Sequence, residues 1–153
     1  MMAEAQAMES LSLEITRVFQ ATRENVFRAW IDPEELQQWW GPKGFSTEVD
    51  SFDATPGGTY RVCMRAPDGS EHWLHGEFKD ISPHDFLSMS WIWEGGDMAG
   101  HEMLVSVAFT AVGQATEIKL THSNLPSDGA VAAHNEGWTS SFECFDEAVA
   151  GSA

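Results

Sequence analysis

The sequence contains few cysteines and few basic residues. Its 153 residues include two cysteines, Cys63 and Cys144, which lie far apart and form no C-x-x-C motif. This spacing argues against a disulfide framework and against a cysteine-rich zinc site. Lysine and arginine number 8 against 24 aspartates and glutamates, which gives a formal net charge of -16. Such a surface repels phosphate backbones and anionic lipid headgroups, so we expect neither nucleic acid nor a membrane surface as a partner.

Long apolar runs and the common catalytic motifs are also missing. The longest apolar stretches, such as residues 105–109 with their flanks, are far too short to cross a bilayer. The first ten residues lack the basic and apolar regions of a secretory signal. No Walker loop, G-x-S-x-G, H-E-x-x-H or G-x-G-x-x-G sequence occurs. We therefore expect a cytoplasmic protein that needs no cofactor or metal, and the sequence assigns no catalytic residue.

The length suits one domain with its own core. We expect residues 11–150 to form this domain, with flexible tails at residues 1–10 and 151–153. Thr22 can cap a first short helix, and Asp32 can cap a second one that has Pro33 at its first position. Glu35 can complete a capping box in the second helix, which ends at residues 41–42, Gly-Pro.

Apolar residues with a period of two predict the strands. Leu11, Leu13 and Ile15 indicate the first strand, before the two helices. Turn residues bound six more predicted strands, at residues 46–52, 59–65, 72–79, 86–93, 101–110 and 116–123. A helical stripe then follows, formed by Trp138, Phe142, Phe145 and Val149, with Ser127 or Asp128 as the cap. Short connections favour an antiparallel sheet, and the long C-terminal helix is the element that can cover its apolar face.

Four segments together resemble a known family. They are residues 39–44 (WWGPKG) before Phe45, residues 56–58 (PGG), residues 64–69 (MRAPDG) and residues 136–138 (EGW). In this order they are similar to homologues of the activator of the ninety-kilodalton heat-shock chaperone ATPase, within the START-like (SRPBCC) superfamily. The resemblance extends from about Leu11 to Val149. It implies an α+β helix-grip fold, with a curved antiparallel sheet around a long C-terminal helix, two short helices after the first strand, and a cavity between sheet and helix.

Strand alternation and this resemblance together predict the residues of the cavity. The alternative from alternation alone is a solid core without a cavity. Gly76 in a strand and Gly137 in the last helix are two positions where a backbone could skirt a cavity. The candidate ligand-binding residues are Trp40, Phe45, Tyr60, Val62, Met64, Leu74, Gly76, Phe78, Met89, Trp91, Trp93, His101, Met103, Val105, Val107, His122, Trp138 and Phe142.

The inward face also carries a few polar residues that can be considered for metal binding or for acid and base roles. Predicted strand registers separate His72, His101 and His122 by roughly 10 Å or more, too far for a shared zinc ion. A single histidine could act as an acid or base near neutral pH, and Tyr60 could donate a hydrogen bond inside the cavity. Of the adjacent Trp39 and Trp40, one packs in the core, and the other either staples the following turn or contacts a ligand.

Three functions are compatible with these patterns. The first is binding of a small hydrophobic or aromatic molecule in the cavity, which the apolar inward face favours. The second is a polyketide-cyclase-like, dehydratase or hydrolase enzyme that uses Tyr60 and a histidine at the cavity's rim, such as His101, as acid and base. The third is a regulatory protein-binding domain, with a homodimer or a chaperone contact as the interaction. Fold resemblance alone does not choose among them.

Overall fold

The computed structural model describes residues 11–150, so the two predicted tails lie outside the described residues. Two short helices follow the first strand, and a long helix follows the last strand, as the sequence predicts. The elements are β1 (Leu11–Phe19), α1 (Arg23–Ile31), α2 (Pro33–Trp39), β2 (Ser46–Phe52), β3 (Thr59–Arg65), β4 (Glu71–Ser82), β5 (Phe86–Trp93), β6 (Glu102–Val112), β7 (Ala115–Leu125) and α3 (Asp128–Ala150). Within these residues no helix is long and apolar enough to span a membrane.

The predicted helix caps form, with one correction. The Thr22 side chain accepts a hydrogen bond from the Asn25 amide at 3.3 Å, and Asp32 accepts from the Glu34 amide at 2.9 Å. Ser127 caps α3 by accepting from the Ala130 amide at 3.1 Å. Glu35 does not complete a capping box. Its carboxylate accepts instead from the Arg28 guanidinium at 2.7 Å, because that partner carries a full charge.

The described strands form one antiparallel sheet in the order β1-β7-β6-β5-β4-β3-β2. Register shifts interrupt β2 between Val49 and Ser51 and β4 between Phe78 and Asp80. Such bulges bend strands, which suits a sheet that curves around a helix. The helix-grip fold is therefore confirmed. Strands β1, β4, β6 and β7 extend beyond their predicted ends, and β6 begins one residue later than predicted, after His101.

The core lies between the concave face of the sheet and the helices. Helix α3 packs most extensively against β1 and α2. In its C-terminal half, Phe145 contacts Phe19 at 4.7 Å and Trp39 at 4.7 Å between ring centroids. Trp30 of α1 is fully buried beside them. The helix is thereby fixed at one end of the sheet, and its N-terminal half lies over the other strands.

The surroundings of Gly76 differ from the expectation that this residue lies beside a cavity. A Cβ atom at this position would come 2.0 Å from the Ser90 carbonyl oxygen and 2.7 Å from the Tyr60 ring. The glycine therefore permits close packing of Tyr60 against β5 and leaves no room for a ligand. Neighbouring atoms fill the space that a side chain would occupy at this position. The sequence of a single strand does not reveal this.

Candidate functional site

An apolar cavity of about 230 Å³ lies between the sheet and the N-terminal half of α3. Its wall comes from the segment after α2, from β3 to β5 with the following turn, and from α3. Among the described residues, no aspartate, glutamate, lysine or arginine lines it. The lining residues are Trp40, Gly41, Pro42, Phe45, Met64, His72, Trp91, Trp93, Met98, Ala133, His134, Gly137, Trp138 and Ser141.

The segment after α2 brings Trp40 and Phe45 to the cavity. Trp40 is the C-cap of α2, and its amide donates to the Leu36 carbonyl at 3.0 Å. Gly41 then has a φ of +103°, a conformation that side chains other than glycine rarely adopt. The chain turns sharply there, and the Lys43 amide donates to the Ser140 hydroxyl of α3 at 2.7 Å. This bond ties the cavity's edge to the long helix.

Gly137 provides the open space on the helix side. A Cβ atom at this position would meet no atom within 4 Å. The neighbouring turns of α3 present Ala133 and Ser141, which are also small. The hydroxyl of Ser141 has no hydrogen-bond partner among residues 11–150. The cavity thus exists because this face of α3 has short side chains where it crosses the sheet.

Four tryptophans form most of the cavity's aromatic wall. Trp40 stacks on Trp91 with a centroid distance of 5.4 Å and an interplanar angle of 19°. Trp138 meets Trp40 edge-on at 5.9 Å, and Trp93 meets Trp91 edge-on at 5.7 Å. Met64 and Met98 add polarisable thioethers to the same wall. Such a surface favours flat or bulky apolar groups.

His134 is a buried polar residue of the lining, and it is held neutral. Its Nδ1–H donates to the Ala130 carbonyl at 2.8 Å, and its Nε2 accepts from the Trp93 indole at 3.1 Å. Burial lowers the pKa of His134. Protonation of Nε2 would also break the bond from Trp93. At neutral pH this side chain therefore contributes no charge to the cavity.

His122 lies just behind the wall, at 4.6 Å from His134 between ring centroids. Its Nδ1 accepts from the Trp138 indole at 3.0 Å, so the neutral ring carries its proton on Nε2. Neither that Nε2 nor the Trp91 Nε1 has a hydrogen-bond partner within the described chain, and both atoms are shielded from solvent. Burial, followed by repulsion from His134 when that ring is protonated, lowers the pKa of His122 to about 3.

A family model described as Activator of Hsp90 ATPase homolog 1-like protein matches residues 20–150. The chain belongs to this family. The resemblance drawn from residues 39–44 and the other segments is therefore confirmed. No curated protein is significantly similar in sequence to this family member.

Solved structures show how widely the fold of this family member is shared. An AHSA1 protein from Silicibacter pomeroyi is 27% identical, with a TM-score of 0.84 over 94% of this chain and 100% of that chain. A protein from Chromobacterium violaceum is 23% identical, with a TM-score of 0.85 over 90% of this chain and 96% of that one. A protein from Arthrobacter aurescens is 22% identical, with a TM-score of 0.84 over 94% and 88% of the two chains.

The structure divides the predicted ligand-binding residues into two groups. The residues that line the cavity are Trp40, Phe45, Met64, Trp91, Trp93 and Trp138. Those that do not line it are Tyr60, Val62, Leu74, Gly76, Phe78, Met89, His101, Met103, Val105, Val107, His122 and Phe142. Except for His101, the second group is buried in the core. Around these buried residues, helix α3 and the aromatic rings of α1 and α2 cover the concave face of the sheet. Over β3 to β5 the space remains open.

The two residues considered for acid and base roles are engaged elsewhere. The Tyr60 hydroxyl donates to the Ser90 carbonyl at 2.7 Å, and burial raises the pKa of this tyrosine far above its ordinary value. His101 lies before β6, and its Nε2 is 2.7 Å from the Asn124 carbonyl oxygen. Neither side chain reaches the cavity. Among residues 11–150, no three His, Cys, Asp or Glu side chains are arranged to hold a metal ion.

Several lining residues were absent from the predicted set. Gly41, Pro42 and Met98 lie in connections, where alternation assigns no face. His72 was placed on the inward face but not in the ligand set, and it is exposed at the cavity's edge. Gly137 was predicted to lie beside a cavity but was not in the ligand set. Ala133, His134 and Ser141 share one face of α3 with Gly137 and Trp138 at helical spacing, and that spacing is the signal that could have found them.

Proposed function

We propose that this protein binds a small aromatic or otherwise hydrophobic molecule in the cavity beneath α3. The observation that carries the proposal is the aromatic wall without a charged residue, formed by Trp40, Trp91, Trp93 and Trp138. Ligand sites in proteins are typically concave and mostly apolar, with few polar groups. Ser141 supplies one hydroxyl to the lining without a partner in the described chain, so it can donate to or accept from a bound molecule.

The cavity's size restricts the ligand class. An apolar cavity of about 150 Å³ accommodates benzene, and drug-sized ligands need about 300 Å³ or more. At about 230 Å³ this cavity suits one substituted ring or two small rings. A fatty acid or a steroid would need a larger space. The probes that best test the proposal are therefore single-ring and two-ring aromatics.

Titration of tryptophan fluorescence with such aromatics tests the proposal. Four of the wall's side chains are tryptophans, so a bound ring is expected to change the emission in a saturable way. In Gly137→Leu the new side chain extends into the open space, and saturable binding should be lost. The fold should persist because leucine is a better helix former than glycine, by up to about 1 kcal/mol.

A matched control separates cavity filling from helix stabilisation. Gly129→Ala strengthens the same helix in its first turn, and Gly129 does not line the cavity. This variant should bind as the natural chain does. If no aromatic probe gives a saturable signal, or if Gly137→Leu binds as tightly as the natural chain, the proposed function is wrong.

The other two functions remain hypotheses from the sequence. The enzyme hypothesis named Tyr60 and a rim histidine. Tyr60 and His101 lie outside the cavity, whereas His72 lies at its edge. A homodimer would be measured by light scattering, and a chaperone contact by co-purification. We rank ligand binding above these two functions because it is the function that the apolar cavity supports directly.

A further inference from the structure

The cavity's electrostatic character follows from its wall. An indole ring carries negative potential on its faces and attracts a cation placed within about 6 Å of the ring centroid. The tryptophans at 40, 91, 93 and 138 give this cavity an unusual concentration of such rings. No lysine or arginine in the described lining repels a positive charge, and no aspartate or glutamate supplies an ion pair. The rings are therefore the main electrostatic feature that a ligand meets.

The buried ring nitrogens near the cavity do not favour an anion. His134 is neutral, with both ring nitrogens engaged by Trp93 and the Ala130 carbonyl. The unpartnered donors on Trp91 and His122 are shielded behind the wall, so a ligand in the cavity does not contact them. An anionic ligand would normally be held by a guanidinium or an ammonium group, and no arginine or lysine is among the described lining residues.

The chain segments that form the cavity also carry more acids than bases. Asp97 precedes the lining residue Met98, and Glu136 precedes Gly137. The nearby Glu94 is paired with Arg61 and adds no free negative charge. The bases beside lining residues are Lys43, between Pro42 and Phe45, and Arg65, which follows Met64 and pairs with Glu71. The whole chain has a formal net charge of -16. A negative molecular surface attracts organic cations and raises their local concentration.

We propose that the cavity selects an organic cation, namely a quaternary ammonium or N-alkylated aromatic group, over a neutral molecule of the same shape. The inference rests on the proposed function and names the chemistry of its ligand. The positive group lies among the indole rings, and its methyl groups fill the apolar space. The faces of the indole rings and the net negative charge of the protein attract the cation, so that no ion pair is needed.

Calorimetric titration of the full chain with three probes of matched size tests this selection. The probes are trimethylphenylammonium, its neutral isostere tert-butylbenzene, and the anion benzenesulfonate. We expect the ammonium probe to bind at least about tenfold more tightly than tert-butylbenzene. Benzenesulfonate should bind most weakly. Gly137→Leu should abolish binding of both favoured probes, which assigns the heat to this cavity.

Substitution of Trp40 separates ring electrostatics from cavity shape. Trp40 lies on the wall, and its indole nitrogen makes no hydrogen bond within the described chain. We expect the ammonium's advantage over tert-butylbenzene to fall several-fold in Trp40→Phe and to fall further in Trp40→Leu. A phenyl face attracts a cation less than an indole face does, and leucine has no such face. Circular dichroism would verify that each variant is folded.

The outcomes distinguish this inference from the proposed function. If tert-butylbenzene binds as tightly as the ammonium probe, and Gly137→Leu abolishes its binding, cation selection is wrong while the hydrophobic site stands. If the ammonium's advantage is unchanged in Trp40→Leu, the attribution to the indole wall is wrong. If none of the probes binds at millimolar concentration, both proposals are refuted.

Discussion

Two glycines of similar appearance in the sequence have opposite roles in the structure. Gly137 faces open space, so its missing side chain enlarges the cavity. Gly76 sits against the Ser90 carbonyl and the Tyr60 ring, so its missing side chain allows β4 and β5 to pack closely. The same residue type therefore creates space on the helix and removes it on the sheet. Substitutions at the two positions should have different consequences.

Gly76→Ala should destabilise the protein. The new methyl group would collide with backbone at 2.0 Å, and backbone atoms cannot move aside without disturbing the sheet. Overpacking of this kind costs about 1–3 kcal/mol, which urea unfolding would measure. Gly129→Ala is the control, since its Cβ would have a nearest neighbour at 3.8 Å. Equal stability of Gly76→Ala and the natural chain would contradict the packing role.

His122 should make stability depend on pH. Its pKa is lowered to about 3 in the folded state, from the ordinary value of 6.5. Between these values the unfolded chain binds the proton and the folded chain does not, so stability falls as pH decreases below 6.5 and is complete above it. The slope for one such group is at most about 1.4 kcal/mol per pH unit.

His122→Gln is the variant that isolates this effect. Glutamine cannot titrate, and its amide oxygen can still accept from Trp138. Unfolding free energies measured from pH 7.5 to pH 5 should fall less steeply in the variant, with a difference approaching about 2 kcal/mol at pH 5. His134 titrates in both proteins, and the loss of its repulsion with a protonated His122 is part of the measured difference. Parallel curves for the two proteins would show that His122 is not held neutral by the fold.

At the scale of elements, α3 has two functional halves. Phe142 and Phe145 of its C-terminal half pack against Phe19 and close the core. The N-terminal half presents Ala133 and Gly137, and here the cavity remains. Helix α2 and the turn after it complete the enclosure through Trp40. The cavity therefore depends on how firmly α2 is positioned against α3.

Removal of the α2 cap should weaken this enclosure. Asp32 accepts from the amides of Glu34 and Glu35, at 2.9 Å and 3.4 Å. Asp32→Ala leaves those amides without a capping side chain and should cost about 1 kcal/mol of stability. Asp32→Asn keeps an acceptor and should cost less. Thermal unfolding of both variants measures the difference, and an Asp32→Ala variant as stable as Asp32→Asn would contradict the capping role.

The whole molecule carries a large negative charge on a small surface. The formal net charge is -16, and a compact chain of that charge repels itself. Arg61 offsets part of the charge by a two-point contact with Glu94, at 2.9 Å for each nitrogen–oxygen pair. The Arg61 hydrogen bonds lower the pKa of Glu94 to about 2. Such local pairs leave most of the acidic groups uncompensated.

Salt should therefore stabilise the protein. Raising sodium chloride from about 10 mM to about 150 mM shortens the Debye length from about 30 Å to about 8 Å, which weakens the repulsion between carboxylates. The exposed ion pairs lose little, because each contributes about 1 kcal/mol at most. The melting temperature at pH 8 should rise by a few degrees. A melting temperature that falls as salt is added would show that the ion pairs dominate.

The sequence by itself determined the order and type of the elements. Period-two alternation and the flanking turn residues predicted β2, β3 and β5 with the bounds that the structure has. Thr22 and Asp32 marked the helix starts, since capping depends on adjacent amides alone. The register that places His122 opposite Val105 also followed from the turn that joins β6 to β7. These features are local, and short segments of sequence encode them.

Only the tertiary structure decided where the empty space lies. Alternation shows which side chains point inward, and Val105, Phe78 and Trp91 look equivalent by that test. The structure fills the space beside Val105 and Phe78 and leaves it open beside Trp91. The difference arises from where α3 crosses the sheet and from the volume of every side chain between them. A cavity is what remains after distant segments have packed, so no single segment encodes it.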